Sequence, residues 1–348
     1  MDWRWTARPG IALMGPGVPA HTLEWARAAE DGGAGSLWII EDYFQPGAYA
    51  LAGAAAAATE RLVIGVGVVN PYTRHPALVA METAALAGLA PGRVVLGLGS
   101  GNRRWIEEQM AIPFKTPLAG LREGVTIVRR LLAGERVSHA GECFSVDDVA
   151  LEAPPPAPVP ILLGVKGPRA LAIAAEVADG VHCSVLTSAA HVRRVRASTA
   201  SAGSAGARAP REPFAVVAYV IAAVSDDGAE ARARVRPVLA RYLGVLHGQS
   251  ILQDAGLGAA RTQPFRDAWL AGRSAADLVT DEMIDALAVA GTPRDCHAAL
   301  ARLAEAGLDT PIAVLAPGGL PVREQVAQLC ATLVPAWMDI SARRGQRS

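Results

Sequence analysis

Long apolar runs, a charge of one sign and clustered cysteines are all missing from this chain. Its 348 residues carry 33 Lys and Arg against 33 Asp and Glu, so the formal net charge is zero. That balance excludes broad binding to a nucleic-acid backbone, which needs a basic face. The densest basic stretch, Arg193-Arg194-Val195-Arg196, reads as the solvated face of a helix. The alanine-rich run at 51–58 is far short of the about 20 apolar residues that span a bilayer. Met1-Asp2-Trp3-Arg4-Trp5 lacks the apolar core of a signal peptide. Cys143, Cys183, Cys296 and Cys330 have no metal-ligand spacing, and no His, Asp or Glu grouping suggests a metal site. A soluble, reduced, cytoplasmic protein acting on a small molecule, with no metal, no membrane and no nucleic-acid partner, is the expectation. No Gly-x-Ser-x-Gly elbow is present, and no Gly-x-Gly-x-x-Gly fingerprint follows the first strand.

What is present is a repeating order of elements. Apolar runs at 11–14, 36–40, 62–69, 94–97, 161–163, 180–183, 214–224 and 312–315 read as strands. Helical patterns fall between them, at about 20–31, 51–58, 76–89 and 105–110 and, amphipathically, at 118–132. Strands alternating with helices imply a parallel sheet, and eight of them imply a closed α/β (β/α)₈ TIM barrel. A doubly wound open sheet is the alternative. The stretch at 144–160 is a proline-rich excursion, and 198–208 reads as a mobile surface loop. Residues 229–290 are too long for one barrel helix and read as a helical insertion between strands seven and eight, within a single domain of 1–348.

Strand ends supply the candidate chemistry, because barrels place their sites there. The third strand, Gly65-Val66-Gly67-Val68-Val69, is broken by two glycines and runs into Asn70-Pro71-Tyr72-Thr73-Arg74-His75-Pro76. Such a break marks either close approach by a ligand or a tight turn. The second strand ends in Glu41-Asp42, which cannot both point the same way in extended chain. One faces the mouth, and the other caps the next helix or pairs locally. After the fourth strand, Gly97-Leu98-Gly99-Ser100-Gly101-Asn102 lets backbone approach a flat ligand. Gly164-Val165-Lys166-Gly167-Pro168-Arg169 opens a helix, with Pro168 suited to its first position. Free amides, the helix dipole and the Lys166 charge make it an anion site, or else an ordinary capped start. His75 and His182 are either proton carriers or structural.

Together these segments resemble the bacterial-luciferase-like superfamily, above all its branch of methylenetetrahydromethanopterin-reductase-like, coenzyme F420-dependent oxidoreductases. The matching pieces include Gly35 to Asp42, Asn70 to Pro76, Arg93 to Gly101, Gly164 to Pro168, Ala178 to Val181 and Gly291 to Arg294. The resemblance implies a (β/α)₈ barrel with an insertion before its last strand. It also implies a cis Gly67–Val68 peptide behind the deazaflavin ring, and cofactor phosphate at Gly164–Pro168. Candidate cofactor contacts are therefore Gly67, Val68, Asn70, Gly99, Ser100, Gly101, Asn102, Gly164, Lys166, Gly167, Pro168 and His182. The chain departs from the family twice. Glu41-Asp42 stands where Asp-His is usual, and Asn102 where relatives commonly carry an acid. Asp42 becomes the candidate catalytic acid or hydrogen-bonding group, with His75 and Glu108 as alternatives. The activity expected is hydride transfer between F420 and a small organic substrate. The alternatives are an FMN-dependent monooxygenase, or a cofactor binder without the usual acid. The substrate pocket would draw on 114–118, the proline-rich stretch and the insertion, where Tyr242, His247 and Trp269 read as core. Relatives imply a homodimer packed through helices beside strands two and three.

Overall fold

Runs of Val, Ile, Leu, Ala and Gly that are buried on both faces form the strands, as parallel strands covered by helices require. A computed structural model describes residues 4–15, 17–204, 214–318 and 320–346. Its strands are β1 (Gly10–Leu13), β2 (Ser36–Ile39), β3 (Val63–Val69), β4 (Val94–Gly99), β5 (Val137–Ala140), β6 (Ser145–Val149), β7 (Ile161–Gly164), β8 (Gly180–Cys183), β9 (Ala215–Val224), β10 (Ala288–Gly291) and β11 (Thr310–Leu315). The order β9-β11-β1-β2-β3-β4-β7-β8 closes on itself through a β8–β9 pairing, all parallel. This is the closed eight-stranded barrel that the alternation implies, not an open sheet. Several of the surrounding helices open on a proline, as at Pro76, Pro117, Pro168 and Pro293, where the missing N–H costs nothing.

The helices Gly228–Val245, Ser250–Asp254, Ala259–Leu270 and Asp281–Leu287 lie between β9 and β10 and form the insertion. Three local expectations change. The insertion ends in a strand, β10, paired to the upper end of β9 outside the ring. The proline-rich stretch opens with a strand, β6, that pairs with β5 just before it as an antiparallel hairpin. Residues 198–204, expected as loop, complete the helix Ala189–Ser204, while 205–208 lie outside the described residues.

Side chains alternate along each strand, so one set faces the helices and the other fills the barrel. Leu37, Ile39, Ile64 and Val66 pack outward with the helices, whereas Trp38, Leu162, Tyr219 and Ile312 share the inner cluster. Gly65 and Gly67 sit on the inner face of β3, against the fully buried Trp38 indole. A Cβ built on Gly65 would lie 2.2 Å from Trp38 Cδ2, and one on Gly67 2.9 Å from Cζ3. The glycines of the broken strand thus make room for a tryptophan from the neighbouring strand.

Gly65→Ala should lower the unfolding free energy by about 3 kcal/mol, the upper end of overpacking costs, because a rigid fused ring cannot yield. The loss would appear as a lower urea midpoint at unchanged slope. An unchanged midpoint would show that Trp38 has room elsewhere.

Candidate active site at the carboxyl mouth of the barrel

A cavity of ≈ 420 Å³ opens where β2, β3, β4 and β7 end, within the size range of small-molecule sites. Its walls include Asp42, Tyr43, Val68, Asn102, Lys166 and Tyr219, and the insertion covers it with Arg241, Tyr242 and Gln249. A larger groove between 126–135 and 155–161 lies at the amino end of the barrel and contains none of the candidate residues.

The wall behind the cavity is the irregular end of β3, where pairing with β4 slips between Val66 and Val69. The Gly67–Val68 peptide bond is cis. Gly67 O accepts the Tyr219 hydroxyl at 2.8 Å and the Glu41 amide at 3.4 Å. The Val68 side chain fills a socket of glycines. A Cβ on Gly99 would come within 2.9 Å of it, and one on Gly164 within 2.8 Å. Gly99 and Gly164 line the cavity, but the space their missing side chains leave is taken by Val68 rather than kept for a ligand.

The two acids after β2 divide their work by alternation. Glu41, which also lines the cavity, accepts Ala48 N at 2.9 Å at the start of the next helix and pairs with Arg74. Asp42 accepts Tyr43 N at 2.9 Å, and its other oxygen lies 3.7 Å from Arg241 Nη2. Asn70 Oδ1 accepts the amides of Tyr72 and Thr73 at 3.0 and 2.9 Å, and its Nδ2 donates to Tyr43 Oη at 2.9 Å. Asn102 Oδ1 is engaged by Arg104 N at 2.9 Å, at the start of the π-helical turn Arg104–Gln109. Ser100 and Gly101 complete this wall.

Lys166 is partly buried. Its Nζ donates to the neutral amide Gln249 Oε1 at 3.0 Å, and no carboxylate among the described residues pairs with it. Burial pulls its pKa down to about 8. Its carbonyl accepts Arg194 Nη2 at 2.9 Å and Ser250 Oγ at 3.3 Å, which ties the loop to the insertion. Behind it, Asp254 accepts Arg194 Nε at 2.7 Å and contacts the buried His191 Nδ1 at 2.6 Å. A desolvated ammonium beside the N-terminus of the helix Pro168–Val177 is arranged to take an anion.

Four candidates lie elsewhere. His75 Nδ1 accepts Ala77 N at 3.2 Å, capping the helix Pro76–Leu89 outside the cavity. Glu108 is on the exposed face of the Arg104–Gln109 turn. Pro168 is exposed at the first helical position, outside the lining. His182 is buried inside the barrel, with ring centroids 4.7 Å from Trp38 and 4.1 Å from Tyr219. Burial pushes its pKa down to about 3, so the ring is neutral.

Tyr43, Trp105, Tyr219, Arg241 and Gln249 were not among the sequence candidates. Tyr219 is in register with Ile312 in an unbroken apolar strand, and Arg241 and Gln249 belong to an insertion whose docking no local pattern specifies. Tyr242, expected in the core, is a cavity wall with its hydroxyl on Met14 Sδ at 3.3 Å. His247 bonds Thr262 at 2.9 Å and Trp269 packs under Arg104 and Arg266, both away from the cavity. Neither 114–118 nor the proline-rich stretch reaches the lining, since Phe114 packs on Tyr72.

A closed parallel barrel with a ligand-sized cavity at its carboxyl mouth defines a (β/α)₈ protein with its candidate small-molecule site where such barrels place it. The chain belongs to the luciferase-like monooxygenase family, whose model matches residues 2–310. It is 32% identical over 336 residues to 5,10-methylenetetrahydromethanopterin reductase of Archaeoglobus fulgidus, covering 94% of this chain and 98% of that protein. In fold it matches the coenzyme F420-dependent tetrahydromethanopterin reductase of Methanopyrus kandleri with a TM-score of 0.82 at 22% identity, over 95% of this chain and 99% of that one. An F420-dependent secondary alcohol dehydrogenase, solved with an F420–acetone adduct, matches with a TM-score of 0.77 at 20% identity, over 95% and 99% of the two chains.

An anion needs Lys166 protonated, so its affinity should be level below pH 8 and fall about tenfold per pH unit above it. Sulfate, which does not titrate in this range, is the probe, followed by calorimetry from neutral pH to about 9.5. Lys166→Gln should abolish both the affinity and the step. A pH-independent affinity would place the anion elsewhere.

Proposed function

We propose that this protein is a coenzyme F420-dependent oxidoreductase that moves a hydride between the deazaflavin and a small organic substrate. The observation that carries the reading is the pairing, in one cavity, of the Val68-backed wall with a Lys166 ammonium that has only a neutral amide for a partner. A flat ring on a phosphate-bearing tail fits both features. The likeness to F420-using reductases along nearly the whole chain supports the same choice.

When bound, the deazaflavin supplies two-electron hydride chemistry. The protein's part is position and charge. Val68 and Gly67 would shape one face of the ring site, and Lys166 with Gly167 would hold the phosphate. Tyr242, Val245 and Leu246 cover the cavity and keep water out. Asp42, held by Arg241 and by Tyr43 N, presents a fixed acceptor at the mouth.

The four cysteines are unpaired, which supports a reducing, cytoplasmic setting. No helix among the described residues is long and apolar enough to cross a membrane. The helix Pro76–Leu89 turns Leu78, Met81 and Leu89 outward at 48%, 53% and 61% exposure. That apolar stripe beside β3 supports a homodimer.

Titration should show F420 binding with FMN at least about a hundredfold weaker, as preference for a whole built site commands. Lys166→Ala should weaken F420 about tenfold or more with the fold intact. Asp42→Asn should cut turnover more than it cuts F420 affinity. Tight FMN binding without any response to F420 would sink the assignment.

A further inference from the structure

We propose that Tyr43 is the proton donor of this site and that the substrate is a carbonyl compound or its alcohol, an inference that rests on the oxidoreductase reading above. The Asn70 amide is locked, because its Oδ1 accepts two backbone N–H groups, of Tyr72 at 3.0 Å and Thr73 at 2.9 Å. Its Nδ2, which only donates, therefore faces Tyr43 Oη at 2.9 Å, and the phenol oxygen is the acceptor. With Asn70 Nδ2 donating to its oxygen, the phenol has its own proton to give. Among the described residues no acceptor takes it.

The other two phenols in the wall are already committed. Tyr219 donates to Gly67 O at 2.8 Å, and Tyr242 to Met14 Sδ at 3.3 Å. Asp42 is engaged as an acceptor, and the Asn102 side-chain oxygen by Arg104 N. Tyr43 is also held in place. Its ring packs on Trp105 with centroids 4.4 Å apart. Gly101, at φ +77°, is the only residue type that leaves the hydroxyl clear, since a Cβ there would lie 2.9 Å from Oη. Burial raises the phenol to about 12, so it carries its proton at neutral pH.

A hydride arriving at a carbonyl carbon drives the C=O electron pair onto oxygen, and that oxygen takes the proton from Tyr43 Oη. The alcohol forms, and the phenolate left behind is held by Asn70 Nδ2 until solvent returns a proton. The reductant is a reduced deazaflavin. In the oxidative direction each step runs backward. A cationic iminium carbon would need no such proton, which is why the geometry points to a carbonyl.

The test compares wild type with Tyr43→Phe, which keeps the ring on Trp105. F420 affinity is read by fluorescence titration. Binding of acetone, cyclohexanone and acetophenone to the complex with oxidised F420, which cannot turn over, is read by calorimetry. Hydride transfer from reduced F420 to the same ketones is read in single turnover. Expected are F420 affinity within about twofold, ketone affinity down about fivefold for the lost hydrogen bond, and transfer down about a hundredfold. Unchanged ketone affinity and transfer in Tyr43→Phe, or a wild type that holds F420 but binds none of the ketones, overturns the inference. A wild type that does not bind F420 overturns the oxidoreductase reading instead, and this inference with it.

Discussion

Trp38 lies inside the barrel where β3 has no side chains to offer, and the geometry of the mouth follows from that fit. Its indole occupies the space above Gly65 and Gly67 and meets His182 at 4.7 Å. Tyr219 stands edge-on to it, with centroids 6.3 Å apart, and from there its hydroxyl reaches Gly67 O. A fully buried tryptophan contributes on the order of 3–5 kcal/mol when measured by truncation, so the cluster is a floor rather than a filler. The irregular end of β3 rests on this floor, and Val68 is pressed outward into the glycine socket of β4 and β7. One aromatic side chain therefore fixes both the bottom of the cavity and the place of its back wall.

The mouth is completed from the opposite direction, by the insertion. Gln249 and Ser250 reach both ends of Lys166, and Arg194 joins Lys166 O to Asp254. The lysine loop is thus clamped at its backbone while its ammonium keeps only a neutral partner. A carboxylate in place of Gln249 would satisfy the charge and close the site to anions. The choice of an amide leaves the cation available while still giving it a hydrogen bond, which avoids the full cost of an unsatisfied buried donor.

Much of this was legible in the sequence for a simple reason. Parallel strands covered on both faces read as uninterrupted apolar runs, so the eight barrel strands stood out. β10 did not, because Ala288–Gly291 directly follows the helical run Asp281–Leu287 without a turn residue between them. The hairpin was hidden by polar strands, such as Ser145–Val149, that are mostly exposed. In the site, alternation said that Glu41 and Asp42 point different ways but not which of them faces the mouth, and both line the cavity. It could not tell that the β3 glycines face an indole, since glycine left for a ligand and glycine left for a neighbour look the same. Nor could it pair Tyr43 with Asn70, 27 residues away, because that contact exists only after β3 has lost its register.

The residues at positions 42 and 102 work together around Tyr43. A carboxylate at position 42 requires a cation nearby, and Arg241 comes from the insertion to meet it at 3.7 Å. Because Arg241 is 42% exposed, the pair adds little stability. Its effect is instead to hold the Asp42 side chain in place at the mouth. An amide at position 102 uses its side-chain oxygen to start the next turn. Asp42 accepts the Tyr43 amide, and Asn102 starts the turn that carries Trp105, on which the Tyr43 ring packs. Tyr43 is left as the one wall phenol among the described residues whose proton is not already spent on the protein.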